Sequence, residues 1–320
     1  MLSMPGIATK PNFLDCLWLT LAVAFLLAHL LHRSVSDAYF PRALHCFFED
    51  VIRYGKTKSG WEGQRFAWMR LCDLPKRWFS HFYVVSVLWN GFLIMVLIHT
   101  LFFGHNIPAW LMVLVRRLSG VSQDQGMGGE LSAFLVLMLL WLHSLRRLAE
   151  CILVSVFSDG VIHLLQYCFG LLYYILLGIT VLCQVPFHGK SVSSEDVLQQ
   201  TRWHHILGVL IYLWASVHQH RCHKILANLR KNKSGEVINM GHNVPSGDWF
   251  DRVSCPHYFA ELLIYIAMVV IFGIRNFTWC MVVMYVLCNQ ALAAVLCHEF
   301  YLRKFDKYPK QRKAFIPFVF

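Results

Sequence analysis

Seven predominantly apolar runs limit what this 320-residue chain can fold into. They fall at Phe13–Leu31, Phe82–Phe103, Leu131–Leu145, Val161–Val185, His204–Gln219, Tyr258–Ile274 and Thr278–Cys297. A bilayer core takes about 20 apolar residues per helix, and backbone placed in hydrocarbon has to satisfy its own hydrogen bonds. The runs therefore read as membrane-spanning helices, the third and fifth of them short. Composition agrees, with 57% hydrophobic residues, 15% charged and a mean hydropathy of +0.49. A soluble protein with buried helices is the alternative, and seven such runs in one chain speak against it. The expected fold is all-α: a single integral membrane domain over 1–320, a polytopic bundle of about seven transmembrane helices.

Orientation follows from the basic residues. The connectors 32–78, 146–160 and 220–257 and the tail 298–320 hold 23 of the 29 Lys and Arg, and the N-terminus with the other connectors holds 6. The positive-inside rule then places the N-terminus in the lumen and the C-terminus in the cytosol. The net charge of +11 is mostly a cytosolic surface. It reads either as topology with attraction to anionic headgroups or as a binding site for an anionic ligand, and no nucleic-acid partner is expected. The first span is followed by positive charge and reads as an anchor, not a removed signal peptide. The 11 cysteines include no CxxC pair, and most sit inside spans (Cys16, Cys168, Cys183, Cys280 and Cys288 among them), as small packing residues.

The stretch from His218 to Glu261 is the most polar segment between two spans. It carries His218, His220 and His223, the basic cluster Arg230, Lys231 and Lys233, and a glycine- and proline-punctuated loop before Glu261. Long irregular connectors are more often functional than idle. Elsewhere, Tyr54-Gly55-Lys56-Thr57-Lys58 and Pro75-Lys76-Arg77 mark the 32–78 connector, with Pro75 at a helix start, and Gln123–Gly129 is a lumenal glycine-rich turn. In a continuing third helix Arg146 and Glu150 stand at i and i+4, and His143 shares a face with Arg147. Cys151–Gly160 is apolar but short, so interfacial or re-entrant. Tyr167 either faces a cavity or packs with its hydroxyl at the interface. In the tail, Pro309 is expected to end the last helix and Ala314–Phe320 to dock back on the bundle.

The histidines do not form metal-binding boxes: there is no HxxHH, and His204-His205 stands about 20 Å along the helix from the others at 1.5 Å per residue. No metal is expected. Arg and Lys at cytosolic helix ends suit the phosphates of a dinucleotide. With no GxGxxG after a strand, the helical bundle itself would have to hold it.

Several separated motifs resemble the steroid 5α-reductase family: Leu229-Arg230-Lys231 with Gly235-Glu236, Val244-Pro245 through Trp249-Phe250 to Val253-Ser254, Tyr258 with Glu261, and Phe300-Tyr301 through Tyr308-Pro309 to Ile316-Pro317-Phe318. Within it, Arg53–Lys58, Phe79–Tyr83 and Trp141–Arg147 resemble the polyprenol reductase branch. The likeness spans about residues 45–320, with a reductase-like catalytic region over 220–320. It implies a multi-pass enzyme of the endoplasmic reticulum that uses NADPH to saturate the α-isoprene double bond of a polyprenoid, giving the dolichol skeleton used in protein N-glycosylation. Reduction of 3-oxo-Δ4 steroids is a further activity of the family. By position, Arg146, Arg147, Asn228, Arg230, Glu261 and Tyr301 would line the cofactor site, and His298 would be an essential polar residue near the chemistry. His257 stands where relatives commonly have Asn, so an imidazole would have to keep that contact.

Hydride adds readily to an alkene only where a conjugated group takes up the developing charge, and an enal has one while an isolated allylic alcohol does not. The aldehyde is therefore the expected immediate substrate, with Tyr167 or His298 as donor to its oxygen. A membrane methyltransferase of the isoprenylcysteine carboxyl type would share a cytosolic C-terminal lobe but take S-adenosylmethionine. A transporter or scaffold would carry polar residues across several spans to the lumenal side.

Overall fold

The computed structural model describes residues 11–34, 41–119, 129–185, 199–232, 234–238 and 240–320. The glycine-rich turn at 123–128 and Lys233 lie outside them. Each expected span is a helix: α1 (Phe13–Ser34), α4 (Phe79–Phe103), α6 (Glu130–Ala149), α7 (Leu164–Leu182), α8 (Trp203–Asn228), α9 (Pro256–Phe272) and α10 (Phe277–Lys304). Five of these (α1, α4, α6, α7 and α10) are long and apolar enough to cross a membrane, and α9 is a shorter apolar helix. Further helices α2 (Arg42–Ile52), α3 (Lys56–Ser59) and α5 (Ala109–Ser119) lie in the connectors.

The burial pattern is that of helices in lipid. α1 buries Leu14, Trp18 and Ala22, spaced four apart on one stripe, while Leu19, Val23, Leu26, Leu27 and Leu30 remain exposed. Where apolar surface meets apolar solvent, association depends on close packing and buried polar bonds. Both are present. Ser86 on α4 and Ser144 on α6 share a 2.6 Å hydroxyl bond, and Asn90 donates to Ser86 at 3.0 Å. Gly208 lets α8 press on α9, because a Cβ there would lie 2.8 Å from the Ala267 carbonyl. The principal helix pairs are α8–α9, α1–α10, α4–α6, α4–α7 and α9–α10.

Four features differ from the sequence expectation. The fold is not wholly helical. A short antiparallel ribbon pairs β1 (Asp73–Pro75) with β2 (Val161–His163), tying the long connector to the start of α7. Pro75 does precede a helix start, ending β1 immediately before a turn that runs into α4. The helix that carries the three histidines does not stop at Gln219, the expected end of the fifth span. α8 continues through them to Asn228, because His220 and His223, three apart on one face, both reach the carboxylate of Glu150. α10 ends at Lys304, five residues before Pro309, where the chain turns so that Tyr308 stacks on Tyr301 with parallel rings 5.4 Å apart. Cys16 and Cys168 are exposed, so not every cysteine packs inside. The C-terminal residues dock as expected: Phe315 is fully buried, and Ser254 N–H donates to the Lys313 carbonyl at 2.8 Å.

Candidate active site

The end of the bundle that carries α2, α3 and the ribbon encloses two cavities. The smaller, about 190 Å³, is lined by Lys56, Lys76, Arg230, His242 and Tyr301 among others. Its floor is set by a turn that only glycine fits. Gly55 adopts φ of 54°, and a Cβ there would lie 2.8 Å from Lys76 Nζ. Gly55 N–H donates to the Val161 carbonyl at 2.7 Å, fastening the turn to the ribbon. Lys56 Nζ donates to the Tyr301 hydroxyl at 2.8 Å and sits 4.0 Å from the centre of that ring. Arg230 reaches across to the Val156 carbonyl and, at 3.4 Å, to the Gly241 carbonyl. Burial, and after it the charge of Arg230, depresses the His242 imidazole to about 4, so it is neutral at physiological pH.

The larger cavity, about 720 Å³, is walled mainly by apolar and aromatic side chains, including Phe25 of α1, Phe82 of α4, Phe169 and Tyr173 of α7 and Val286 of α10. One corner is polar. Glu150 begins a π-helical turn at the end of α6, and its carboxylate gathers four side chains: Arg146 at 2.6 Å, Arg147, His220 at 2.9 Å and His223 at 2.8 Å. Arg147 also donates through Nε to the Tyr83 hydroxyl at 3.1 Å. Gln219 links this cluster to the next, accepting from Arg146 and donating to Glu261 at 2.5 Å. His143 stands 3.3 Å from the other Glu261 oxygen.

Tyr54, His223, His257, Tyr258 and Ala293 line both cavities, so these residues form a seam between them. A basic recess thus adjoins an apolar chamber, the arrangement needed to bring a phosphate-bearing ligand against a hydrocarbon one. The family described as 3-oxo-5-alpha-steroid 4-dehydrogenase matches residues 161–320. The polyprenal reductase of Xenopus tropicalis is 56% identical over 309 residues, 97% of this chain and all of that protein. The chain belongs to the steroid 5α-reductase family. Other polyprenal reductases align almost as fully: that of Homo sapiens is 55% identical over 97% of this chain and 96% of its own length, and that of Danio rerio 48% identical over 96% and 98%.

The residues expected from this family's motifs divide into three groups. Arg230 and Tyr301 line the smaller cavity, Arg147 and Glu261 the larger, and His257 both. Arg146 stands behind the wall, held by Glu150 and Gln219. Three others lie apart from the cavities. Asn228 is exposed at the last turn of α8. His298 accepts from or donates to Ser254 Oγ at 2.6 Å, in a chain with Tyr308, and lines neither cavity. Tyr167 turns to the outer face, with its hydroxyl 3.0 Å from His81 Nδ1 and its ring against Trp78. Sequence reasoning did not assign Tyr54, Lys56, Lys76, Gln219, His223 or Tyr258 to the site. Tyr54 and Lys56 did belong to a motif that stood out, Tyr54–Lys58. What the sequence lacked was the ribbon that carries that motif to the site.

Proposed function

We propose that this protein reduces the α-isoprene double bond of polyprenal with NADPH, in the membrane of the endoplasmic reticulum, yielding the saturated aldehyde from which dolichol is made. The observation that carries this reading is the seam between a basic recess and an apolar chamber, in a chain aligned end to end with polyprenal reductases. The residues fit NADPH. Lys56, Lys76 and Arg230 line the recess, and among the described residues none of the three forms a salt bridge with a carboxylate. His257 Nδ1 is buried at the seam without a hydrogen-bond partner. Lys56, Lys76 and Arg230 would hold the phosphates, and His257, Tyr301 and Glu261 would hold the remainder. When bound, the cofactor supplies a hydride. The chamber's aromatic walls exclude water and align the isoprenoid chain, so that its aldehyde end lies at the polar seam.

Seven spans, with the N-terminus lumenal and the C-terminus cytosolic, complete the reading, supported by the 23-to-6 division of basic residues. A tag placed after Phe320 should then be digested by protease added outside sealed microsomes, and a protected tag would reverse the orientation. The activity is tested by incubating the purified full-length protein with NADPH and polyprenal, polyprenol or testosterone, and following products by mass spectrometry. Saturated product from polyprenal is expected. Turnover of polyprenol or testosterone alone would replace the substrate, and no NADPH-dependent product from any of them would sink the reading.

A further inference from the structure

Of the hydroxyl groups around the two cavities, one pair stands at the seam itself. Tyr54 Oη and Tyr258 Oη are 2.5 Å apart, and both residues line both cavities. Neither hydroxyl has another hydrogen-bond partner among the described residues. Each phenol carries one proton, so whichever oxygen accepts from the other keeps its own proton unused and aimed at neither backbone nor side chain. Other tyrosines at the chamber are placed differently. Tyr83 lines only the larger cavity and accepts from Arg147, and Tyr173 donates to Tyr265 away from the recess.

We propose that Tyr54 and Tyr258 form a two-hydroxyl proton relay that polarises the aldehyde oxygen of the substrate, an assignment that rests on the reductase reading above. The geometry is fixed from both sides. Tyr54 enters the turn pinned by Gly55, with its own N–H on Thr57 Oγ1 at 3.2 Å. Tyr258 lies in the first turn of α9, whose start is held by Pro256 and by the docked C-terminal residues. A hydroxyl that accepts a hydrogen bond is a stronger donor through its own proton, so the pair hydrogen-bonds a carbonyl oxygen more strongly than either phenol alone. Burial also pushes the Tyr54 phenol above its ordinary range, which keeps it protonated.

The step balances with one hydride and one proton. The hydride pair forms the new C–H bond at the β-carbon of the enal. The carbon–carbon π pair moves between the α- and carbonyl carbons, and the carbonyl π pair moves onto oxygen, which takes the tyrosine proton. The resulting enol returns its oxygen proton to the tyrosinate as the α-carbon takes a proton from solvent, giving the saturated aldehyde. The relay is thereby restored, and the net uptake is one hydride and one proton.

The test uses the full-length protein in lipid nanodiscs, with Tyr258→Phe, Tyr54→Phe and the double variant. Loss of the relay should lower kcat for polyprenal by about 10²- to 10⁴-fold in the worse single variant. The double variant should be no more than about threefold slower again, because the two hydroxyls act as one unit. NADPH affinity, read from its fluorescence, should stay within about twofold of wild type, since both changes keep the ring and its packing. A second readout needs no turnover. The carbonyl stretch of polyprenal bound to cofactor-free protein should lie at lower frequency than in empty nanodiscs, and the shift should vanish in the double variant. Turnover within about threefold of wild type in both single variants, multiplicative losses in the double, or an unchanged carbonyl band would each overturn the relay. If wild type neither binds nor reduces polyprenal, the reductase reading itself falls and the relay falls with it.

Discussion

Lys56 and Lys58 are two residues apart on one short helix, and they face opposite electrostatic company. Lys58 is fully buried, with its ammonium 3.0 Å from Asp50 and 3.0 Å from Asp73. Arg65 binds the same two carboxylates, meeting Asp73 at 2.7 Å, so two cations and two anions close on themselves. Lys56 meets the Tyr301 phenol instead, and shares its cavity with Lys76 and Arg230. Both clusters look alike in the sequence as basic residues in the connectors between apolar runs. Where carboxylates complete the set, the charge is spent on holding the fold together. Where they are missing, an anionic ligand such as the proposed NADPH would relieve the repulsion among cations.

The largest expected effect lies in the closed cluster. Asp50→Ala strands Lys58 and Arg65 with half their partners, at a cost of roughly 3–5 kcal/mol. Thermal unfolding in detergent should show a much lower midpoint or no folded protein at all. A near-normal midpoint would mean that the cluster is not what secures the 41–75 segment. In the open cluster the same kind of change should strike binding and spare the fold. Arg230→Ala or Lys56→Ala removes a charge-assisted phosphate contact, worth roughly 1.5–3 kcal/mol or about ten- to a hundredfold in NADPH affinity. If either variant binds NADPH like wild type while folding normally, that residue leaves the phosphate site.

Lys76→Ala sharpens the comparison further, through the sign of its two effects. It should weaken NADPH binding while leaving the ligand-free protein as stable as wild type or more so, because it removes a like charge near Lys56 and Arg230. A destabilised ligand-free protein would instead make Lys76 a structural residue like Lys58. The smallest effect concerns His242, whose imidazole is depressed to about 4 by burial and by Arg230. Its folded value lies below its unfolded one, so its contribution to stability is complete above about pH 6.5 and is lost as pH falls toward 4. A bound phosphate favours the imidazolium, so NADPH affinity should rise as pH falls from 7 to 5, by less than about tenfold per unit. His242→Gln should flatten the part of that slope due to the protein, and an unaltered slope would remove His242 from the phosphate end.

The helices were legible because their cause is local. A run such as Phe82–Phe103 has one low-energy state in hydrocarbon, and each expected span is present as a helix, within a few residues at most ends. α8 was the exception. Its last nine residues are too polar to read as a span, and they are helical because Glu150, 70 residues earlier, gathers His220 and His223. The site was legible only where a motif residue happened to face a cavity, as Arg230, Tyr301, Glu261 and His257 do.

By itself, then, the sequence determined the membrane class, the helices and the family, since each follows from apolar run length or from motifs shared in order along the chain. Which side chains meet was decided by the tertiary structure alone. His298 and Tyr167, chosen from motif position and span depth, are turned to Ser254 and to His81 by the rotation of their helices. Tyr54 and Tyr258, 204 residues apart, come within 2.5 Å because a three-residue ribbon and a left-handed glycine carry one to the other. A rotation of 100° per residue sends neighbours on a helix to different faces. Spacing along the chain therefore cannot say which of them reach a shared cavity until the helices are packed.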